Sequence, residues 1–175
     1  MLHAGDQYAS THILSIVKSY FIENPTIQWT SGNIRVVRAG ETVVVGKPFD
    51  AAKLYRGMRS VAHPTWFVKK EVYNRIGLFN NDIKIAMDYD LMCRIANEPY
   101  AYINETIAIF DDSGISTNNY VQSLKDNITI YENYFGFSIK CRIWQFRLRL
   151  LHWLLQTSFG KWLFKIKKGL GLANA

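Results

Sequence analysis

Two aspartates separated by one residue, Asp88 and Asp90, are the residues of this sequence best suited to acid or base chemistry. Together with the apolar positions Leu91, Met92 and Ile95, they predict a helix whose first turn holds both acids. A carboxylate in a first turn is kept ionised by the helix dipole and by unpaired N–H groups, which is the state that a general base needs. The alternative is that both acids only cap the helix, because Asp is common there.

The elements that must position this pair lie just before it in the chain. The run from Thr65 to Val68 is β-rich, and Val72, Ile76 and Phe79 then recur at i, i+4 and i+7. This spacing predicts a short helix that ends near Gly77. A polar Asn-Asn-Asp loop leads from there to the helix that carries the two acids.

Three motifs follow one another in this region: a His-X-X-X-Phe strand from His63, K-X-X-Y-X-X-I-G-X-F from Lys70, and A-X-D-Y-D-L-X-X-R-I from Ala86. Together they resemble the carboxyl-terminal half of the catalytic domain of family 2 glycosyltransferases, most closely the bacterial enzymes that build surface polysaccharides. The resemblance implies inverting transfer of a sugar from a nucleotide-diphosphate donor to a hydroxyl of a glycan or lipid-linked acceptor. In that family the first acid of D-Y-D deprotonates the acceptor, and this role falls on Asp88.

The start of the chain carries a second part of the resemblance. The stretch L-H-A-G-D-Q-Y, from Leu2 to Tyr8, is similar to a turn in which these enzymes hold a divalent cation against the donor diphosphate. The resemblance implies Asp6 as a ligand of Mg²⁺ or Mn²⁺, because these cations suit oxygen ligands and phosphate. His3 and Gly5 stand at the two acidic positions of the family's common D-X-D.

The resemblance also implies a domain organisation. In the family, nucleotide-binding βαβ units of roughly one hundred residues precede this Gly-Asp turn. We therefore expect an α/β fold of the GT-A type, which is Rossmann-like, represented by its second half over residues 1–137 and truncated at its amino terminus. A helical tail is expected over residues 138–175. The alternative function is a non-catalytic remnant or an acceptor-binding subunit that needs a partner chain.

Further contacts with the acceptor and the diphosphate are implied by the same resemblance. His63 matches a family histidine beneath the active site, although a histidine before proline is equally explained as a polar group at a strand end. Asp90 is the second acid of D-Y-D. Gly114 and Ser116 belong to a Gly-Ile-Ser stretch that resembles the loop closing over the active site. Trp66 is expected in the core and not as a sugar platform.

The remaining periodicities predict further strands and helices. A strand is expected to end at the Gly5-Asp6 turn, and an antiparallel pair is expected between Thr26 and Lys47. A second strand pair is expected from Tyr100 to Phe110. The first helix should end at Asn24-Pro25 and should turn five apolar residues to the core: Ile13, Leu14, Ile16, Val17 and Phe21.

Three turn predictions and two helix predictions complete this pattern. Ser31–Asn33 and Ala39–Gly40 are expected as turns of the first strand pair, and Asn104 with Glu105 as the turn of the second. One or two helical turns are expected between Asp50 and Val61, and a longer helix from Asn118 to Tyr134. Arg56 and Arg59, in the former segment, are favoured as surface charges over phosphate contacts.

Composition places the positive charge at the end of the chain. The 175 residues are 49% apolar, which excludes disorder, and carry a net charge of +7. No acidic residue follows Glu132, whereas eight basic residues do: Lys140, Arg142, Arg147, Arg149, Lys161, Lys165, Lys167 and Lys168. Cys93 and Cys141 lack metal-site spacing, which favours reduced structural thiols in a cytoplasmic protein.

In the tail, basic residues alternate with large apolar ones. Ile143, Phe146, Leu150 and Leu154 fall near one helical stripe flanked by basic residues, which is typical of a helix lying in a lipid interface. Gly160 is expected to break the tail into two segments. The expected membrane contacts are Trp144, Phe146, Trp153 and Trp162.

These features predict a peripheral protein on the inner face of the cell membrane. The alternative is that the tail packs on the core with a solvated basic face. Nucleic acid is not expected as a partner, because large aliphatic residues interrupt the basic ones and no nucleic-acid motif is present.

Overall fold

The computed structural model describes residues 2, 5–38, 41–58, 61–110 and 119–169, and these residues form a mixed α/β fold. The strands are β1 (Gln7–Tyr8), β2 (Trp29–Arg38), β3 (Glu41–Val45), β4 (Phe67–Val68) and β5 (Tyr100–Phe110). The helices are α1 (Ile13–Glu23), α2 (Lys70–Ile76), α3 (Met87–Ile95), α4 (Tyr120–Phe135), α5 (Ile139–Gln156) and α6 (Ser158–Gly169). Two 3-10 turns span Ala51–Arg56 and His63–Thr65.

The five strands of the described residues form one mixed sheet centred on β2 and β5. The order is β1-β5-β2-β3, and β4 pairs with the beginning of β2. β2 and β5 are parallel, whereas the other pairings are antiparallel. Because Val68 pairs with Trp29, the segment that follows His63 is fixed against the start of β2.

The predicted first strand pair is confirmed, but one of its turns is wrong. Arg38 pairs with Glu41 across the hairpin of β2 and β3, and the Ala39–Gly40 turn lies outside the described residues. Ser31–Asn33 lies inside β2, where the register against β5 shifts at a β-bulge. A side chain at Gly32 would place its Cβ 2.8 Å from the Ile103 carbonyl oxygen, so glycine allows the two strands to approach.

The predicted second strand pair is wrong, because Tyr100–Phe110 is a single strand. Asn104 and Glu105 are exposed and are the extra residues of a bulge in β5, because the partners of the consecutive Gly32 and Asn33 are Ile103 and Thr106. The Asn33 side-chain amide donates to Asn104 Oδ1 at 3.3 Å across this point. Polar residues that resemble a turn therefore occupy a bulge in the middle of the sheet.

The core lies on both faces of the sheet. One cluster joins Ile13 and Val17 of α1 to β5, and Phe67 packs against it. The larger cluster surrounds Trp29 and α3, and Val68 packs against that one. Because successive residues of a strand point to opposite faces, the two clusters cover opposite sides.

At the amino-terminal end, the strand follows the Gly-Asp turn. Gln7 pairs with Ile109 just after Asp6, so β1 begins after this turn; Met1, His3 and Ala4, where the earlier strand was expected, lie outside the described residues. Helix α1 ends at Glu23 with Asn24 as its C-cap, which confirms the predicted end at Asn24-Pro25. Leu14, expected in the core, is exposed, because α1 buries the neighbouring stripe that contains Ile13 and Val17.

The predicted helices around the two acids are confirmed. Helix α2 ends before Gly77, and α3 carries Asp88 and Asp90 in its first turn. Leu91, Met92 and Ile95 of α3 are fully or almost fully buried. The six-residue 3-10 turn and helix α4 correspond to the other two predicted helical segments.

The tail consists of two helices, but their junction is not at Gly160. Thr157 has extended backbone angles and ends α5, and its hydroxyl accepts the Gly160 N–H at 3.0 Å at the start of α6. A Cβ on Gly160 would lie 1.9 Å from the Leu154 carbonyl oxygen. Glycine is therefore needed because the two helices meet closely, whereas Thr157 separates them.

Candidate active site

His63 is held rigidly in the 3-10 turn that precedes β4. Pro64 follows it at the start of the turn, and the Thr65 hydroxyl donates to the Ala62 carbonyl at 2.7 Å. The imidazole is buried, and its ring meets the rings of Trp66 and Phe79 edge-on, with centroids 5.2 and 5.7 Å apart. The sequence therefore fixes this histidine by packing as well as by backbone bonds.

The fold brings His63 and Asp88 together. The distance from His63 Nδ1 to Asp88 Oδ2 is 3.8 Å, which suits an electrostatic contact and exceeds a direct hydrogen bond. The Asp88 side chain keeps 26% of its exposure, whereas that of His63 keeps 6%. Asp88 lies in the first turn of α3, where the helix dipole favours the carboxylate. A substrate hydroxyl could therefore reach Asp88, while His63 lies beneath.

Asp90 has a different environment, although it is only two residues away. Its Oδ2 accepts hydrogen bonds from Arg94 Nε and Nη2 at 3.1 and 2.8 Å, and its Oδ1 accepts one from the Tyr134 hydroxyl at 2.8 Å. Burial and this bond to Asp90 raise the pKa of Tyr134 to about 12. Both oxygens of Asp90 are thus engaged inside the protein, and the geometry assigns it a structural role.

Neither acid occupies the N-cap position of α3. Ala86 is the N-cap of α3, and no side chain caps it. Arg94 extends the Asp90 network to the end of α2, where its guanidinium donates to the carbonyls of Ile76 and Leu78 at 2.8 and 2.9 Å. The two helices that flank the polar loop are therefore joined through one buried guanidinium.

Tyr89, between the two acids, attaches α3 to the first 3-10 turn. Its side chain is fully buried, and its hydroxyl donates to the Leu54 carbonyl of the first 3-10 turn at 2.6 Å. Burial raises the pKa of Tyr89 far above its usual range, so the hydroxyl stays a donor. The side chains of Tyr89 and Asp90 are buried, whereas that of Asp88, in the same helical turn, is partly exposed.

Of the predicted metal ligand and the predicted loop residues, only the metal ligand Asp6 lies within the described part of the chain. Asp6 is partly buried directly before β1. Across the described ranges, no three residues of His, Cys, Asp or Glu lie together as a metal site. Gly114 and Ser116 lie outside the described residues.

The tail residues predicted to contact a membrane are largely exposed. Phe146, Trp153 and Trp162 keep 65%, 63% and 55% of their exposure, whereas Trp144 is partly buried. Helix α5 instead turns Cys141, Gln145 and Leu148 toward the body. Of the described helices, none is both long enough and apolar enough to cross a membrane.

No family model and no curated protein matches this chain. The functional assignment therefore depends on the geometry of the residues. In that geometry Asp88 and His63 form one site, and Asp90 belongs to the structure that supports it.

Sequence reasoning gave no role to two residues of this support, Arg94 and Tyr134. Arg94 lies four residues after Asp90, a spacing at which opposite charges meet on a helix, so this contact had a local signal. Tyr134 is separated from Asp90 by 44 residues and had no such signal. Only the packing of α4 on α3 brings its hydroxyl to the carboxylate.

Proposed function

We propose that this chain carries the acceptor-side part of an inverting, GT-A type glycosyltransferase, resembling family 2, with Asp88 as the catalytic base. The observation that carries the proposal is the difference between the two neighbouring acids. Asp90 is enclosed by Arg94 and Tyr134, whereas Asp88 is partly open beside the buried His63. A mixed sheet with helices on both faces agrees with this fold class.

The chemistry assigned to Asp88 is a single proton transfer. Its carboxylate takes the proton of the acceptor hydroxyl as that oxygen forms a bond to the anomeric carbon of the donor sugar. The bond from this carbon to the diphosphate oxygen breaks on the opposite face, and the diphosphate leaves with the electron pair. The configuration at the anomeric carbon is inverted.

His63 and the network around Asp90 position this base. The imidazole lies 3.8 Å from Asp88 and is itself held between two aromatic rings, which limits where the carboxylate can move. Tyr89 and Asp90 fix the turn on either side of Asp88. A base held in one geometry contributes more than a mobile one, because the reacting atoms must align.

The divalent cation remains a prediction from the resemblance. It would neutralise charge on the leaving diphosphate if Asp6 and the phosphate oxygens held it together. Asp6 is a single carboxylate, and the described residues do not complete a protein site around it. The assignment of Asp88 does not depend on this cation.

We also propose that the tail docks on an anionic membrane. The apolar tail face consists of Ile143, Phe146, Leu150 and Trp153 on α5 with Phe159, Trp162 and Ile166 on α6, all exposed. Lys140, Arg147 and Arg149 are exposed on α5, and charge complementarity favours anionic lipid as the partner. The acceptor would then be presented at the membrane surface.

The substitution Asp88→Asn tests the proposed base. The gene is expressed from its native genomic context, and transfer from a panel of nucleotide sugars is followed by mass spectrometry of the products. Asp88→Asn should reduce transfer by at least about 100-fold, because general-base catalysis contributes roughly that much. Asp82→Asn makes the same chemical change in an exposed loop and should leave transfer unchanged.

Retained transfer within about tenfold of the parent, equivalent to roughly 1.4 kcal/mol, would exclude Asp88 as the base. Circular dichroism and urea unfolding of the variant keep a folding defect distinguishable from a catalytic one. If the parent protein binds acceptor glycans but transfers no sugar from any donor, the chain is an acceptor-binding subunit.

A further inference from the structure

A cavity of about 500 Å³ lies beside the candidate active site, between the β2–β3 hairpin, the first 3-10 turn and helix α5. Ala62, the residue before His63, is part of its wall. Its charged lining comes from Lys47, Lys53 and Arg56, and Trp144 of α5 forms another wall. No carboxylate lines the cavity within the described residues, so its electrostatic character there is positive.

Arg56 is held in place by aromatic side chains and makes no direct ion pair among the described residues, although Asp50 is near enough to interact with it electrostatically. Its Nε donates to the Tyr55 hydroxyl at 3.0 Å, and its guanidinium carbon lies 4.7 Å from the ring centroid of Trp144. No carboxylate lies within ion-pair distance of Arg56 in the part of the chain that the structure describes. Lys53 differs, because it pairs with Asp50 at 2.6 Å. The guanidinium is therefore oriented by aromatic rings and leaves donors for an anion.

Two further donors accompany Arg56. Lys47 is exposed on the adjoining segment after β3 and makes no ion pair among the described residues. The Trp144 indole N–H is buried and has no hydrogen-bond acceptor in the described structure. A buried indole N–H can only donate, and leaving it without an acceptor is costly. A compact acceptor with several oxygens could accept hydrogen bonds from these groups.

We propose that this cavity binds a phosphate group. A guanidinium fork and an ammonium match phosphate oxygens, and charge-assisted bonds of this kind are among the strongest in proteins. The phosphate can belong to a lipid head group or to a soluble phosphate compound. A lipid source has structural support, because Trp144 of the cavity wall is on the same helix, α5, as exposed Ile143 and Phe146 of the apolar tail face.

The first arm of the test uses inorganic phosphate and does not depend on sugar transfer or on membrane docking. Phosphate should raise the melting temperature of the protein relative to sodium chloride of equal ionic strength, because it binds the folded state. Lys47→Gln and Arg56→Gln should each weaken the apparent affinity roughly tenfold. Lys125→Gln removes one positive charge from an exposed position of α4 and should leave the affinity unchanged.

The second arm identifies the source of the phosphate. Phosphatidylcholine vesicles contain either phosphatidate or oleate, adjusted to equal surface charge. Tighter binding to phosphatidate, lost in Lys47→Gln and Arg56→Gln but kept in Lys125→Gln, assigns the cavity to a lipid head group. Equal binding to both vesicles, together with stabilisation by free phosphate, assigns it to a soluble compound.

The proposal is overturned if phosphate stabilises the protein no more than chloride does and vesicle binding follows surface charge alone. It is also overturned if all three variants lose affinity equally, because the effect is then diffuse electrostatics. Lys47 is exposed, so Lys47→Gln stays informative even if Arg56→Gln disturbs the packing of Trp144. Loss of phosphate binding with intact sugar transfer would leave the role of Asp88 unaffected.

Discussion

The Arg94 guanidinium lies 2.8 Å from the Asp90 carboxylate, and the two side chains keep only 14% and 4% of their exposure. The same guanidinium donates to backbone carbonyls at the end of α2, and Tyr134 of α4 donates to the same carboxylate. One ion pair therefore connects three helices behind the candidate base. The rigidity of the Asp88 site depends on this connection.

Removing the carboxylate should strongly destabilise the fold. Asp90→Ala leaves the Arg94 guanidinium largely buried without its counter-ion, and breaking a buried pair costs roughly 3–5 kcal/mol. Urea unfolding followed by circular dichroism measures this loss. Asp82→Ala, in an exposed loop, serves as the control and should change the free energy of unfolding by less than about 0.5 kcal/mol. A loss below about 1 kcal/mol for Asp90→Ala would mean that the pair contributes no more than a surface salt bridge.

The two cysteines should make stability depend on pH in the alkaline range. Burial raises the pKa of Cys93 to about 12 and that of Cys141 to about 11. The folded protein thus retains thiol protons that the unfolded chain loses above about pH 9. The contribution of the two thiols to the free energy of unfolding should be constant below pH 9 and should fall as pH rises toward 11.

Urea unfolding between pH 7.5 and 10.5 measures this slope. A Cys93→Ala, Cys141→Ala variant should show a shallower fall, because it lacks both thiols. The tyrosines that also titrate are common to both proteins, so the difference between the slopes reports the thiols. At pH 8 both thiols should react with a thiol reagent far more slowly in the folded protein than in urea. Equal labelling rates in the two states would contradict this prediction.

The junction of α5 and α6 should require glycine at position 160. In Gly160→Ala the new methyl group would meet the backbone oxygen of Leu154, which cannot move away without opening the junction. Overpacking of this kind costs roughly 1–3 kcal/mol. In limited proteolysis, the variant should be cleaved near Thr157 faster than the parent protein is. Ser158→Ala, at an exposed position beside the junction, is the control, and equal cleavage of all three proteins would show that the helices do not meet closely.

The apolar tail face should control binding to anionic vesicles. Co-sedimentation should rise with phosphatidylglycerol content and fall with salt, because each basic residue near the surface contributes about 1 kcal/mol before screening. Phe146→Ser with Trp153→Ser should weaken binding, since both side chains are exposed and their replacement leaves the core intact. Truncation after Phe137 should abolish binding.

Two substitutions provide the matched comparison for this surface. Leu14→Ser with Ile22→Ser removes two exposed apolar side chains from α1 and should leave vesicle binding unchanged. Should the tail variant and the α1 variant sediment alike, the apolar tail face has no special affinity for lipid. Binding that ignores phosphatidylglycerol content would equally contradict the assignment.

Local pattern was sufficient for the helices near the candidate site. The spacing of Val72 and Ile76 predicted α2, and the apolar residues after Asp90 predicted α3, because a helix buries one side at a period that the sequence displays. The hairpin of β2 and β3 was predictable for a similar reason, since its two β-rich runs lie next to each other in the chain. The exposed apolar stripe on α5 followed from spacing alone.

Tertiary structure decided what the polar residues do. Spacing alone does not distinguish Asp88 from Asp90, whereas in the structure Arg94 and Tyr134 enclose Asp90 and the Asp88 side chain keeps 26% of its exposure. Asn104 is a polar residue typical of turns, yet β5 continues through it. The strand pairs in parallel with β2 on both sides of this point and accommodates Asn104 in a bulge. Contacts between residues far apart in the chain have no local signature, so the sequence determined which segments are helical and the fold determined which acid is enclosed and which is partly exposed.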